Sequence, residues 1–216
     1  MIDFDAARRQ MVDCQIRPND VTDYDIIDAF STVPRELFVP PSKKAIAYSD
    51  ADVDLDGRSL GQVTPLAKML QAANIASTDV VLCIGSGAGY GAAIVSKLAN
   101  SVIAVESSED LVSRSSETLI ELGYDNVAVI QADLEVGCPS EAPFDVILVE
   151  GAVSSLPQPL LDQLRDEGRL VVVEGEGLSG QIRLYSHHGD DISATSHANV
   201  AVPRLPGFDK AEEFIF

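Results

Sequence analysis

The spacing of apolar residues changes near position 79. Upstream it is helical. "DAARRQMVDCQI" carries apolar residues at helical spacing and predicts a helix that stops before Pro18. "NDVTDYDIIDAFSTV" predicts a second helix, with Asn19 or Asp20 as cap and Pro34 beyond its end. "RELFVPPSKKAIAYSDADVDLDGRSLGQ" is broken by paired prolines and polar clusters and reads as irregular. "TPLAKMLQAANI" predicts a third helix, with Thr64 as N-cap and Pro65 at its first position.

From Asp79 the rhythm becomes strand, helix, strand. "DVVLCIG", "SVIAVE", "VAVIQAD", "FDVILVEG" and "RLVVVEG" are short, β-branched and apolar, as strands buried on both faces of a parallel sheet are. "AAIVSKLA", "EDLVSRSSETLIEL" and "PQPLLDQLRD" between them have helical periodicity. The alternation predicts an α/β fold with a doubly wound, Rossmann-like sheet. After Gly175, "GEGLSG" reads as a turn, and "QIRLYSHH" and "ISATSHANVAV" as strands with no helix between them, an antiparallel edge. In "AEEFIF", Phe214 and Phe216 alternate about Ile215, which predicts a half-buried strand docked on the sheet. The expected organisation is a helical N-terminal extension, 1–78, packed on a core, 79–216, in one compact unit.

Composition narrows the function. The chain has 216 residues and a formal net charge of -19, with a pI near 4.3. Such an acidic surface repels phosphate backbones, which weighs against a nucleic-acid partner. No apolar run approaches a membrane span. The start, "MIDFDAARRQ", lacks the basic-then-apolar order of a secretory signal, so the expected address is the cytoplasm. Cys14, Cys83 and Cys138 are far apart and lack metal-type spacing; Cys83, within a strand, reads as a small buried hydrophobe. His187 and His188 are adjacent, so on a strand they point to opposite faces and do not share a metal.

The chemistry centres on "VVLCIGSGAGYGAA". A strand enters the loop Gly85-Ser86-Gly87-Ala88-Gly89, and a helix starts near Tyr90. Glycines permit a tight turn and a close ligand approach, and free N–H groups at the helix start favour anionic or polar groups. No Gly-Lys-Ser/Thr follows, so this is not a phosphate-binding P-loop. Gly87, Gly89 and Ala92 fit a dinucleotide-type Gly-x-Gly-x-x-Ala spacing; the bland alternative is a tight turn with no ligand. Glu106 ends the second strand about twenty residues on, where an acid takes ribose hydroxyls. Asp133 and Glu150 are read at the ends of the third and fourth strands, where open sheets bind ligands.

"VLCIGSGAGYGAA", "VIAVES", "NVAVIQAD", "PFDVILVEGA" and "LPQPLLDQLRDEGRLVVV" resemble the S-adenosylmethionine-dependent methyltransferases, and more narrowly the protein-L-isoaspartate O-methyltransferase family. The resemblance runs upstream through "VPRELFVP" and "AIAYSDADVDLDGRSLGQVTPLAKML". It implies S-adenosylmethionine as cofactor and isoaspartyl-bearing peptides or proteins as substrates. Gly85, Ser86, Gly87 and Gly89 would wrap the methionine end. Glu106, with Ser107 beside it, would take the ribose; Asp133 would bind the adenine amino group, with Leu134 beside the ring; Glu150 completes the cofactor set. The segment before the first sheet helix would cover the cofactor and shape the peptide site, which makes 1–78 the substrate side.

The family carries Ser-x-Pro in that segment, and its serine is important for activity. Here the residues are Val63-Thr64-Pro65, so alignment on Pro65 puts valine at the serine position. Ser59, Gln62 and Thr64 are the nearby substrate-side candidates. An isoaspartyl α-carboxylate is ionised near neutral pH and needs no general base. Two other readings stand beside carboxyl O-methylation. One is a divergent cofactor-binding protein with little isoaspartyl activity, acting as adaptor or sensor or on another substrate. The other is a nicotinamide-dependent oxidoreductase, disfavoured because no catalytic Tyr/Lys or His pattern accompanies the glycine loop.

Overall fold

The computed structural model describes residues 2–55, 57–175 and 180–208. Its centre is a sheet of seven strands: β3 (Val80–Ile84), β4 (Ser101–Glu106), β5 (Val127–Gln131), β6 (Phe144–Val153), β7 (Leu164–Glu174), β8 (Gly180–His188) and β9 (Asp191–Val200). They lie in the order β5-β4-β3-β6-β7-β8-β9. β3 to β7 pair in parallel, and β8 and β9 close one edge antiparallel. β3 has β4 on one side and β6 on the other, so the strand order reverses there and opens a crevice at their carboxyl ends.

Period-two alternation builds two cores. Val81 and Cys83 of β3 join Val146, Leu148, Val171 and Val173 on one face, packed under the N-terminal helices. Leu82 and Ile84 join Ile147, Val149, Leu170 and Val172 on the other. Both sides of β3 and of the central run of β6 are therefore dry, which is why their sequences are almost uninterrupted hydrocarbon, whereas β5 at the sheet edge is only partly buried.

Helices α1 (Phe4–Met11), α2 (Tyr24–Thr32), α3 (Val63–Ala73), α4 (Tyr90–Ser96), α5 (Glu109–Glu121) and α6 (Gln158–Leu161) complete the fold. Several boundaries differ from expectation. The first helical stretch does not stop before Pro18: a π turn over Val12–Ile16 runs into a 3-10 turn over Arg17–Asn19. Proline is tolerated there because the first residues of a turn have no intrahelical acceptor to meet. The cap of α2 is neither Asn19 nor Asp20 but Asp23, whose carboxylate accepts from the amides of Asp25 and Ile26 at 2.9 and 3.2 Å. Gln62, not Thr64, precedes α3; Thr64 is helical and donates its hydroxyl to the Gln15 carbonyl at 2.7 Å.

"PQPLLDQLRD" shrinks to the single turn α6. The Gln163 side chain accepts from Cys138 N and donates to Val136 O and Pro159 O, and β7 starts at the next residue. β5 ends at Gln131, two residues before Asp133. In the irregular segment, β1 (Val53–Asp54) pairs with β2 (Ser59–Leu60), and Leu55 N donates to Arg58 O at 2.7 Å. That hairpin lies over the crevice. Phe214, Ile215 and Phe216, and most of "GEGLSG", lie outside the described residues.

Candidate active site at the carboxyl ends of the parallel strands

The glycine loop turns as its composition requires. Gly85, Gly87 and Gly89 have φ of 74°, 54° and 90°, a region costly for residues with a Cβ. Glu106 holds the loop from behind. It is 0% exposed, and its Oε2 accepts from Gly87 N at 2.9 Å. Its Oε1 accepts from Ser107 N at 2.8 Å, Ser107 Oγ at 3.2 Å and Ser108 N at 3.2 Å. Arg58 reaches down from the β1–β2 hairpin: its Nη2 donates to Gly85 O at 2.8 Å and lies 3.3 Å from Glu106 Oε2. The loop is thus clamped between a buried anion and a cation.

A cavity of about 140 Å³ opens between the loop, residues 57–62, the start of α3 and residues 202–205. Leu205 forms one wall: a Cβ built on Gly85 would stand 2.6 Å from Leu205 Cδ2. The segment is fastened by Ala152 N to Pro203 O at 2.8 Å and Leu205 N to Ala152 O at 2.9 Å.

Three buried polar atoms on residues lining this cavity have no hydrogen-bond partner, Arg58 Nη1, Ser86 Oγ and Glu150 Oε1, while the Arg35 guanidinium and the Tyr90 hydroxyl, also buried there, are set against each other. Buried polar groups are normally paired. Three on one cavity, donors and an acceptor together, mark a place for a polar ligand. Arg35 is 1% exposed and donates to Ala47 O and Gly61 O at 2.7 and 2.6 Å, with its guanidinium 4.8 Å from the Tyr90 ring centroid. Burial pushes the Tyr90 hydroxyl up to about 12, against the opposing pull of Arg35. Burial likewise pushes the Glu150 carboxyl up to about 8; Arg58 lowers it and Glu106 raises it further. Glu150 sits where pairing between β6 and β7 shifts register, between Leu148 and Ala152. At neutral pH it is a neutral acid in the wall.

Of the residues expected from sequence, Ser59, Gln62, Gly85, Ser86, Gly87 and Glu150 line the cavity. Glu106 and Ser107 support the loop from behind. Gly89 faces Ser115 and Leu119 of α5. Asp133 is exposed and Leu134 is 1% exposed in the core; neither lines the cavity. Thr64 and Val63 do not line it either. Sequence reasoning missed Arg35, Arg58, Tyr90 and Leu205. A signal existed for the arginines: each stands in a quoted segment of the resemblance, "VPRELFVP" and "DGRSLGQ".

Residues 6–204 match the family described as Protein-L-isoaspartate(D-aspartate) O-methyltransferase (PCMT). The chain belongs to this family. The protein-L-isoaspartate O-methyltransferase 1 of Syntrophobacter fumaroxidans is 38% identical over 96% of this chain and 97% of its own length. The protein-L-isoaspartate O-methyltransferase of Roseiflexus castenholzii is 41% identical over 85% and 84%. Among solved structures, a protein-L-isoaspartate O-methyltransferase superposes with a TM-score of 0.80 at 24% identity, covering 93% of this chain and 66% of that one. A putative member from Plasmodium falciparum, in complex with S-adenosyl-L-homocysteine, superposes with a TM-score of 0.77 at 20% identity, over 95% and 99%. These two likenesses speak for the fold. The doubly wound, Rossmann-like sheet expected from the strand rhythm, with its antiparallel edge, is the one observed.

Proposed function

We propose that this methyltransferase works in the cavity between the glycine loop and the β1–β2 hairpin. Membership of the family makes it an S-adenosylmethionine-dependent enzyme that O-methylates isoaspartyl residues of damaged proteins; the adaptor reading is not favoured. The cofactor supplies an electrophilic methyl group on a sulfonium. The chain's part is to bind and orient. Gly85, Ser86 and Gly87, backed by Glu106, form the cofactor side, with Gly89 setting the start of α4. Asp133 and Leu134 are assigned to the adenine end, beyond the cavity. Ser59 and Gln62 stand on the substrate side, in the extension 1–78 that faces the core 79–216. Aligning a carboxylate oxygen with the methyl carbon and excluding water carries the rate; no proton is moved.

The observation that carries this reading is the group of unpartnered polar atoms of Arg58, Ser86 and Glu150 around one cavity beside the glycine loop. The substrates are peptides and proteins rather than nucleic acid, in keeping with the net charge of -19. The cytoplasm suits three free cysteines, and no helix among the described residues is long and apolar enough to cross a membrane. The test is transfer of labelled methyl to an isoaspartyl peptide and to its normal aspartyl isomer. Transfer to the first alone is expected; equal or no transfer to both overturns the reading.

A further inference from the structure

We propose that Arg58 is the substrate-specificity residue: its free Nη1 binds the carboxylate that is to be methylated. The proposal rests on the isoaspartyl reading above and names the group that recognises that substrate.

Val63 is 2% exposed and does not line the cavity. Among the remaining lining residues of the hairpin segment, Ser59 and Gln62 are neutral. In that segment Arg58 alone brings a charge, and a guanidinium N–H makes a charge-assisted hydrogen bond to a carboxylate oxygen. Its side chain is 11% exposed, so the attraction is little screened by water.

The fork is already set. Nη2 is held by Gly85 O and Glu106 Oε2, which fixes the plane of the guanidinium, while Nη1, on this cavity-lining residue, is buried with no acceptor. An anchored cation with one idle N–H arm is preorganised for an anion. One arm engages one carboxylate oxygen and leaves the other free as nucleophile. The anchor also ties substrate recognition to the cofactor loop, because the same guanidinium touches Gly85. Arg35 strengthens the site from behind. Its guanidinium is held by two backbone carbonyls and set against Tyr90, which keeps a second fixed cation in the cavity wall. Glu150, facing the same cavity, is protonated near neutral pH and does not repel the incoming anion.

The test compares an isoaspartyl peptide carrying a free α-carboxylate with the same peptide as its α-carboxamide. Binding of each is measured by calorimetry on protein saturated with S-adenosylhomocysteine, which needs no turnover. The unaltered protein is expected to favour the carboxylate at least tenfold, the scale of a charge-assisted hydrogen bond. Arg58→Met keeps the stem and removes the charge; it should abolish the preference. Arg58→Lys should retain part of it. With labelled cofactor, Arg58→Met should raise KM for the peptide more than it lowers kcat. A preference that survives in Arg58→Met overturns the proposal and leaves the isoaspartyl reading intact. So does an Arg58→Met variant whose affinity for S-adenosylhomocysteine falls further than its affinity for the peptide, since Arg58 would then belong to the cofactor's site. Failure of the unaltered protein to bind or methylate the carboxylate peptide overturns the isoaspartyl reading itself, and this proposal with it.

Discussion

The carboxyl of Glu150 fills the space that a side chain on Gly91 would need: a Cβ built there would overlap Glu150 Oε2. Gly91 lies in the first turn of α4, so its glycine answers to packing rather than to backbone conformation. Gly91→Ala is expected to destabilise the fold by about 1–3 kcal/mol, the usual range for overpacking a close-packed site. Adding Glu150→Ala should recover much of that loss, and a double-mutant cycle in urea measures the coupling. Additive effects would show that the contact is not what excludes a side chain from position 91.

Glu150 also gives stability a pH dependence of defined sign. Its folded value is raised to about 8 by burial, above the ordinary 4.5. Below the unfolded value both states hold the proton. Between the two values the unfolded chain releases it and the folded chain keeps it, so stability falls as pH rises through this window. Glu150→Gln removes this dependence. Melting curves from pH 4.5 to 8.5 should show the variant gaining on the unaltered protein as pH rises. Parallel curves would mean the carboxyl ionises in the ordinary range.

The Glu106 carboxylate accepts from two amides and a hydroxyl of the next two residues as well as from the Gly87 amide. Glu106→Ala therefore loses the post that shapes the glycine loop. Affinity for S-adenosylhomocysteine should fall roughly ten- to a hundredfold, since charge-assisted hydrogen bonds contribute about 1.5–3 kcal/mol. The melting temperature should fall as well. Calorimetry showing unchanged affinity would remove Glu106 from the binding site.

What was legible in the sequence follows the range of the interactions. The parallel strands announce themselves because burial on both faces forces apolar residues at successive positions, as in "VVLCI". Glu106 was legible because the distance from loop to second strand end is set by one strand–helix–strand unit. Caps were less so: Asp20 and Asp23 are equally good by type, and only the chain's path selects Asp23. "PQPLLDQLRD" has helical spacing, yet Gln163 binds the distant backbone around Val136 and Cys138 and ends the helix early. The cavity's arginines were hidden for the same reason. Arg35, Arg58 and Glu150 come to one cavity through tertiary packing, and no spacing along the chain encodes that.

The segment 62–64 separates positions that work on substrate from positions that hold the fold. Gln62 lines the cavity, and its side chain makes no capping hydrogen bond to α3. Gln62→Ala should lower kcat/KM for an isoaspartyl peptide while leaving the melting temperature near that of the unaltered protein. Thr64 spends its hydroxyl on Gln15 O, which fastens α3 to the π turn of the first helical stretch. Thr64→Val keeps the shape and drops that bond, so stability should fall by about 1 kcal/mol with transfer kinetics unchanged. Val63 is buried with α3's apolar face, away from the cavity. Val63→Ser puts a hydroxyl where hydrocarbon packs. It should cost about 1–3 kcal/mol and add no transfer activity, even though alignment on Pro65 makes it look like a restoration. Thermal melts and steady-state kinetics on the three variants divide these outcomes. A gain of transfer in Val63→Ser would mean that α3 shifts to bring position 63 into the cavity.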